Sequence, residues 1–247
     1  MFRKRGQLTT FIFIGVVLVM IAAIIFYAGY QEQRVKEVYV FPLEVESVKN
    51  YVTQCLNDVS ENAIFLLGMK GGYTDFPQDV KSTETFFTPV ALWYDAGNGL
   101  APTDDEIKSE ISKYVNIAIR NCVDISSLKL NVSESGAISS SATIKNDSVI
   151  VDLIYPLDIK IGDSVTHIEE FSSTVSVRLG GVLDSARKIE GMQEELKGEF
   201  DYGFIRDEIL QDVTFYNYDG VYITSILDDS SFIFGTPYMF RFASVLE

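Results

Sequence analysis

Residues 138–179 read ISSSATIKNDSVIVDLIYPLDIKIGDSVTHIEEFSSTVSVRL, and hydropathy along this stretch repeats every second residue. Ile138, Ser140, Ala142 and Ile144 alternate with Ser139, Ser141 and Thr143, and Asn146-Asp147 then turns the chain. Val149 to Tyr155 makes a partner strand, and Leu157, Ile159 and Ile161 alternate again before a turn at Gly162-Asp163. Val165 to Ile168 returns, and Phe171 to Leu179 adds another strand with Val175, Val177 and Leu179 in phase. A period of two sends successive side chains to opposite faces of a sheet, so the run predicts an antiparallel meander.

Helical periodicity flanks this core. After Pro42, the residues Val45, Val48, Val52, Cys55, Leu56 and Val59 recur at three- and four-residue steps, the spacing of one buried helix face. Glu44 and Glu46 fall in the first turn, where the helix dipole favours anions, and the helix is expected to stop at Gly68 or at Gly71-Gly72. A second helix begins after Pro102, with Thr103 as N-cap and Glu106 three residues on, the capping-box pattern; Ile107, Ile111, Tyr114, Val115, Ala118, Ile119 and Cys122 form its apolar face. Downstream, Val182 to Phe200 reads as a helix and Tyr202 to Leu210 as a shorter one. Val213–Tyr218 and Val221–Leu227 flank Asp219-Gly220, a strong hairpin signal, and Tyr238, Phe240 and Phe242 alternate in a last strand. Strands and helices come in runs and do not alternate singly, so the expected class is α+β, with an antiparallel sheet and packed helices. Residues 68–102, rich in Gly, Pro and aromatics, read as a long irregular flap with Thr85 to Leu92 extended over the core.

The N-terminus has a different character. Arg3, Lys4 and Arg5 are followed by no charge until Glu32, and Phe11 to Phe26 is apolar throughout. A helix of that uncharged length reaches roughly 39 Å, enough for a hydrocarbon core of about 30 Å. Tyr27 and Tyr30 fall where an interfacial aromatic belt lies, and the basic flank keeps the N-terminal end in the cytoplasm. The expected organisation is a basic tip and transmembrane helix over residues 1–30, a stalk over 31–42, and an acidic extracellular α+β domain over 43–247. Residues 8–27 meet the bilayer. A cleaved secretory signal is the alternative; the apolar run is longer than a usual signal core and lacks an Ala-x-Ala end.

Lys4-Arg5-Gly6-Gln7-Leu8-Thr9, running straight into an apolar helix, resembles the class III signal of archaeal pilins and archaellins. The resemblance implies cleavage between Gly6 and Gln7 by a prepilin-type peptidase on the cytoplasmic side. The helix is then retained, as a membrane anchor or as the core of a filament. Many such pilins carry a Glu early in the helix, whereas the fifth residue after this bond is Phe11. The rest of the chain is similar to uncharacterised single-pass surface proteins of small-genome (DPANN-type) archaea, which implies an address and no chemistry.

Composition narrows the function further. The 247 residues carry 20 Lys+Arg against 35 Asp+Glu, a net charge of −15, which argues against a nucleic-acid partner. The single His, His167, makes a His-based relay improbable, and no nucleophile elbow, phosphate-binding loop or zinc-protease motif is present. The acidic clusters, such as Asp104-Asp105-Glu106, lack the spacing of a calcium loop; Asp95-Ala96-Gly97-Asn98-Gly99 is a faint echo of one. No cofactor or metal is expected. Cys55 and Cys122 each lie late on an amphipathic helix, and outside the cell two thiols are expected to pair; the alternative is two separate buried thiols. Asn131 and Asn146 begin sequons and are candidate glycan acceptors, Asn146 in a turn. The aromatics Tyr73, Phe76, Phe86, Phe87, Trp93 and Tyr94 are the expected contact surface. Together these readings point to a non-enzymatic, membrane-anchored surface protein with a structural, adhesive or partner-binding role. Its partners would be lipid and either further copies or other surface proteins. A pilin-like filament subunit is the first alternative and an anchored hydrolase the second.

Overall fold

The computed structural model describes residues 43–246 apart from 85–87 and 198, together with Met20. Met20 apart, the expected membrane segment lies outside the described residues, as do the Gly6–Gln7 bond, the stalk, Phe86 and Phe87. Among the described residues no helix is long and apolar enough to cross a membrane.

The described residues form an α+β fold with four helices and two sheets. Helix α1 (Leu43–Lys70) buries Val45, Val48, Val52, Cys55, Leu56 and Val59 and continues the same face through Ala63, Ile64 and Leu67. It ends where Gly71 and Gly72 adopt φ of +73° and +101°, with the Gly72 amide donating to the Leu67 carbonyl. Helix α2 (Asp104–Cys122) opens with the expected capping box: Thr103 accepts from the Glu106 amide, and Glu106 accepts from the Thr103 amide. Helices α3 (Leu179–Glu195) and α4 (Tyr202–Glu208) follow the second sheet in sequence.

Ten strands complete the set: β1 (Ser82–Glu84), β2 (Pro89–Asp95), β3 (Asn98–Gly99), β4 (Asn131–Glu134), β5 (Ser139–Ile144), β6 (Val149–Ile161), β7 (Ser164–Val175), β8 (Asp212–Tyr218), β9 (Val221–Ile233) and β10 (Thr236–Val245). β6 pairs antiparallel with β4, β5 and β7 in a four-stranded sheet. The other sheet has the order β1-β2-β10-β9-β8, with β3 added to β2. The β8–β9 turn has Asp219 at φ 50° and Gly220 at φ 83°, the paired positive values of the tight hairpin expected there.

α1 packs against β7 and β6 of one sheet, β10 and β2 of the other, and α2. Contact with β10 is backbone-close: a Cβ on Gly68 would collide with the Met239 carbonyl and the Tyr238 hydroxyl. α2 covers β5, where the Ser140 hydroxyl donates to the Ser112 carbonyl at 3.1 Å. The two helices are joined by a Cys55–Cys122 disulfide with a Cα–Cα distance of 5.7 Å. Beside it the Tyr51 hydroxyl donates to the Cys122 carbonyl at 2.9 Å and accepts from the Asp124 amide at 3.0 Å, closing the end of α2.

The structure departs from the sequence expectations in four places. The larger sheet is mixed, because β10 runs parallel to β2, a strand far away in sequence. Periodicity specifies faces and says nothing of partners. The region 68–102 is no loose flap: it holds β1, β2 and β3, and Val90–Tyr94 is buried on both faces. A central strand of that kind reads as a continuous apolar run with no alternation. β6 and β7 are each continuous across the expected breaks, with Tyr155 and Pro156 opposing the single Glu169 in a bulge. That bulge flips the phase of β7, so Glu169 and Glu170 both face outward, which breaks the period of two. Finally, β7 stops at Val175 and Leu179 begins α3, which itself ends at Glu195 instead of Phe200.

Candidate functional site

A concavity with polar anchors lies between the end of α1, the loop that follows it and the outer face of α2. It encloses about 660 Å³. Its walls are Phe76 and Pro77 from the loop and Tyr114, Ile117 and Ala118 from α2, with the ammonium groups of Lys70 and Lys113 beside them. The loop is held by a buried carboxylate. Glu110 accepts from the Thr74 amide at 3.3 Å and the Thr74 hydroxyl at 3.1 Å on one oxygen, and from Lys113 Nζ at 2.8 Å on the other. Lys70 Nζ donates to the Thr74 carbonyl at 2.8 Å and stands 5.7 Å from the centre of the Phe76 ring. Behind the loop, burial pushes the Tyr73 hydroxyl up to about 12, aided by the charges of Glu106, Glu110 and Asp79. With both oxygens of Glu110 engaged, the groove presents an apolar strip flanked by the Lys70 and Lys113 ammonium groups.

The expected contact aromatics divide. Phe76 is half-exposed and lines the groove. Trp93, Tyr94 and Tyr73 are buried, where the sequence reading expected them on an exposed contact surface. Trp93 is 0 % exposed, stacks on Phe242 at 4.9 Å, meets Phe240 at 5.4 Å, and donates its indole N–H to the Gly71 carbonyl at 2.9 Å. The Tyr94 side chain is also fully enclosed. These aromatics fill the core because β2 is a central strand, a placement that composition cannot reveal.

A second apolar surface escaped the sequence reading. Phe232 and Phe234, at the tip of the β9–β10 hairpin, are 57 % and 55 % exposed. They adjoin a pocket of about 360 Å³ lined by Phe65, Met69, Leu227, Pro237 and Met239. Phe234 has φ 52°, a conformation disfavoured for a bulky side chain, and its ring meets that of Phe65 edge-on at 5.8 Å. The Phe-x-Phe-Gly pattern at 232–235 is the signal that could have marked it, since glycine there (φ 73°) ends a tight turn.

The remaining candidates are placed as follows. Asn131 opens β4 and Asn146 sits in the β5–β6 turn, both exposed. His167 is exposed on β7 and faces Asp158 at 2.7 Å and Glu169 at 3.4 Å; those carboxylates raise its pKa. In the Asp95–Gly99 turn, Asp95 binds Lys81 Nζ at 2.6 Å and the Asn98 side chain donates to the Asp95 carbonyl at 3.1 Å. Among the described residues no group of three or more His, Cys, Asp or Glu side chains is arranged to hold a metal ion. No family model matches this sequence, no curated protein matches it, and no solved structure matches it.

Proposed function

We propose that the chain is a membrane-anchored extracellular surface protein whose domain over residues 43–247 binds partners or builds envelope structure without catalysing a reaction. The observation that carries this reading is the Cys55–Cys122 bridge in a domain that follows a basic tip and an uncharged apolar stretch. A disulfide persists in an oxidising compartment, and the basic tip assigns the other side of the membrane to the N-terminus. The Phe76 groove and the Phe232/Phe234 tip supply contact surfaces, in place of the buried Trp93 and Tyr94.

Protease added to intact cells tests the topology. A C-terminal tag is expected to be removed without lysis. A tag that survives on intact cells and is digested only after lysis overturns the reading. The resemblance of Lys4 to Thr9 to a class III signal favours a second reading, a pilin-like filament subunit beginning at Gln7. Sheared filaments containing the chain would establish that reading, and detergent-soluble protein with no filament fraction would remove it.

A further inference from the structure

We infer that β8 is a self-pairing edge, through which two copies of this chain join their six-stranded sheets about a two-fold axis. The inference concerns the folded domain and does not depend on the membrane topology proposed above.

β8 stands at one end of its sheet, and among the described residues β9 is its sole strand partner. Exposed edges are ordinarily blunted by charge, proline, bulges or shortness. Two other edges of this molecule use those devices. β1 has three residues, and β7 carries His167, Glu169 and Glu170 beside a bulge. β8 carries a single one, the charge of Asp212 at its first residue, and none beyond it. Val213 to Tyr218 contains no charge and no proline in a chain of net charge −15, and its register with β9 is unbroken from Asp212 to Tyr218. Val, Thr, Phe and Tyr there all favour extended backbone.

The register of the hairpin determines how a second copy would fit. Tyr218 and Val221 flank the two-residue turn and form a hydrogen-bonded pair. Pairs alternate from there, so the backbone N–H and C=O of Val213, Phe215 and Asn217 point away from β9. A two-fold axis through Phe215 places each of these outward residues opposite another outward residue: Phe215 opposite its own copy, and Val213 opposite Asn217. Thr214 and Tyr216 then face each other across the seam, and Asp212 falls opposite Tyr218, so no like charges meet. Shifting the axis to Val213 or Asn217 leaves outward groups unmatched. Phe215 already packs against Phe200 at 4.6 Å and Tyr202 at 5.8 Å, so the join sets two aromatic clusters side by side. An interface in which one patch meets itself closes as a dimer.

The test uses the full chain in detergent. Cys55 and Cys122 are already bonded to each other, so Phe215→Cys adds the one free thiol. A copper–phenanthroline oxidant removes a proton and an electron from each of two such thiols and joins the sulfurs, since residues directly opposite in a hydrogen-bonded pair are about 5.5 Å apart. A product of twice the chain mass is expected for Phe215→Cys and not for Val165→Cys, an exposed position on β7. Adding Asn217→Pro removes an outward donor while keeping the β8–β9 ladder; it should cut the product by about tenfold without lowering the unfolding temperature. For the unmodified protein, sedimentation should show a dimer fraction that rises with salt as the mutual repulsion of two −15 chains is screened. Monomer at every salt concentration, equal cross-linking at Val165, or a dimer that survives Asn217→Pro would each overturn the inference.

Discussion

Asp228 carries its charge inside the protein. It is 1 % exposed, and Arg178 meets both of its oxygens while the Ser231 hydroxyl and the Ser230 amide donate to it. Burial alone would raise this carboxyl, but the Arg178 and Ser231 hydrogen bonds outweigh burial and hold it below the usual range. Arg178 also starts α3, and its amide donates to the Ser231 hydroxyl at 3.0 Å, so the cluster pins α3 to β9. Arg178→Ala strands the carboxylate. The expected loss is about 2–3 kcal/mol, below that of a fully enclosed pair because Arg178 is itself half-exposed. Because the folded pKa is depressed, the contribution of Asp228 is full above the ordinary aspartate range and disappears as pH falls through the folded value. Urea titrations at neutral and acidic pH should therefore show the variant's deficit shrinking in acid. A deficit independent of pH would mean that the charge is not what Arg178 serves. Local patterns reveal some residues of this kind. Thr103 and Glu106 declare a cap by their spacing; two cysteines on amphipathic helices favour a bridge and leave two separate thiols open, which the structure resolves as a bridge. Arg178 and Asp228 lie 50 residues apart with no motif between them, so their pairing exists only once β9 lies beside the start of α3.

At the scale of elements, the seam between α1 and α2 is closed twice, by the disulfide and by Tyr51 over the end of α2. The cysteines are separated by 67 residues, and releasing a loop of that length from its cross-link frees about 4 kcal/mol of chain entropy in the unfolded state. Reduction, or Cys55→Ser with Cys122→Ser, should lower the unfolding temperature by roughly 10 °C for a domain of this size. Calorimetry with and without reductant checks this, and an unchanged midpoint would show that packing alone holds the seam. The helices are legible in the sequence because each has one buried face, and α2 also has a marked start; α3 lacks a side-chain cap at Arg178, and its bounds are not legible. The β8–β9 hairpin is legible because Asp219-Gly220 suits only a few backbone conformations. β2 is not, since burial on both faces erases its alternation. Nor are the continuous β6 and β7, since the bulge at Tyr155-Pro156 shifts β7 by one residue and makes one strand look like two.

For the molecule as a whole, α1 serves two sheets at once, packing on β7 and β6 and on β10 and β2. The α+β class and the order of the helices and long hairpins follow from the sequence; β1, β3 and β4 do not. The meeting of β2 with β10 does not, because no local preference records which distant strand will arrive. The groove beside Phe76 belongs to the same scale: its aromatic is readable, but its depth comes from α2 lying beside the end of α1. β10 lies between β2 and β9, with Tyr238, Phe240 and Phe242 buried beneath it. During synthesis β2 therefore has to wait for residues 236–245 to leave the ribosome before the larger sheet can close, whereas both cysteines emerge long before. A nascent chain halted after Gly235 should already carry the Cys55–Cys122 bond yet be digested rapidly at β2, and pulse-labelled chains arrested at that point, split by protease and non-reducing gel, would reveal it. Such a chain is oxidised first and folded last, exposed for the whole interval to whatever chaperones meet it.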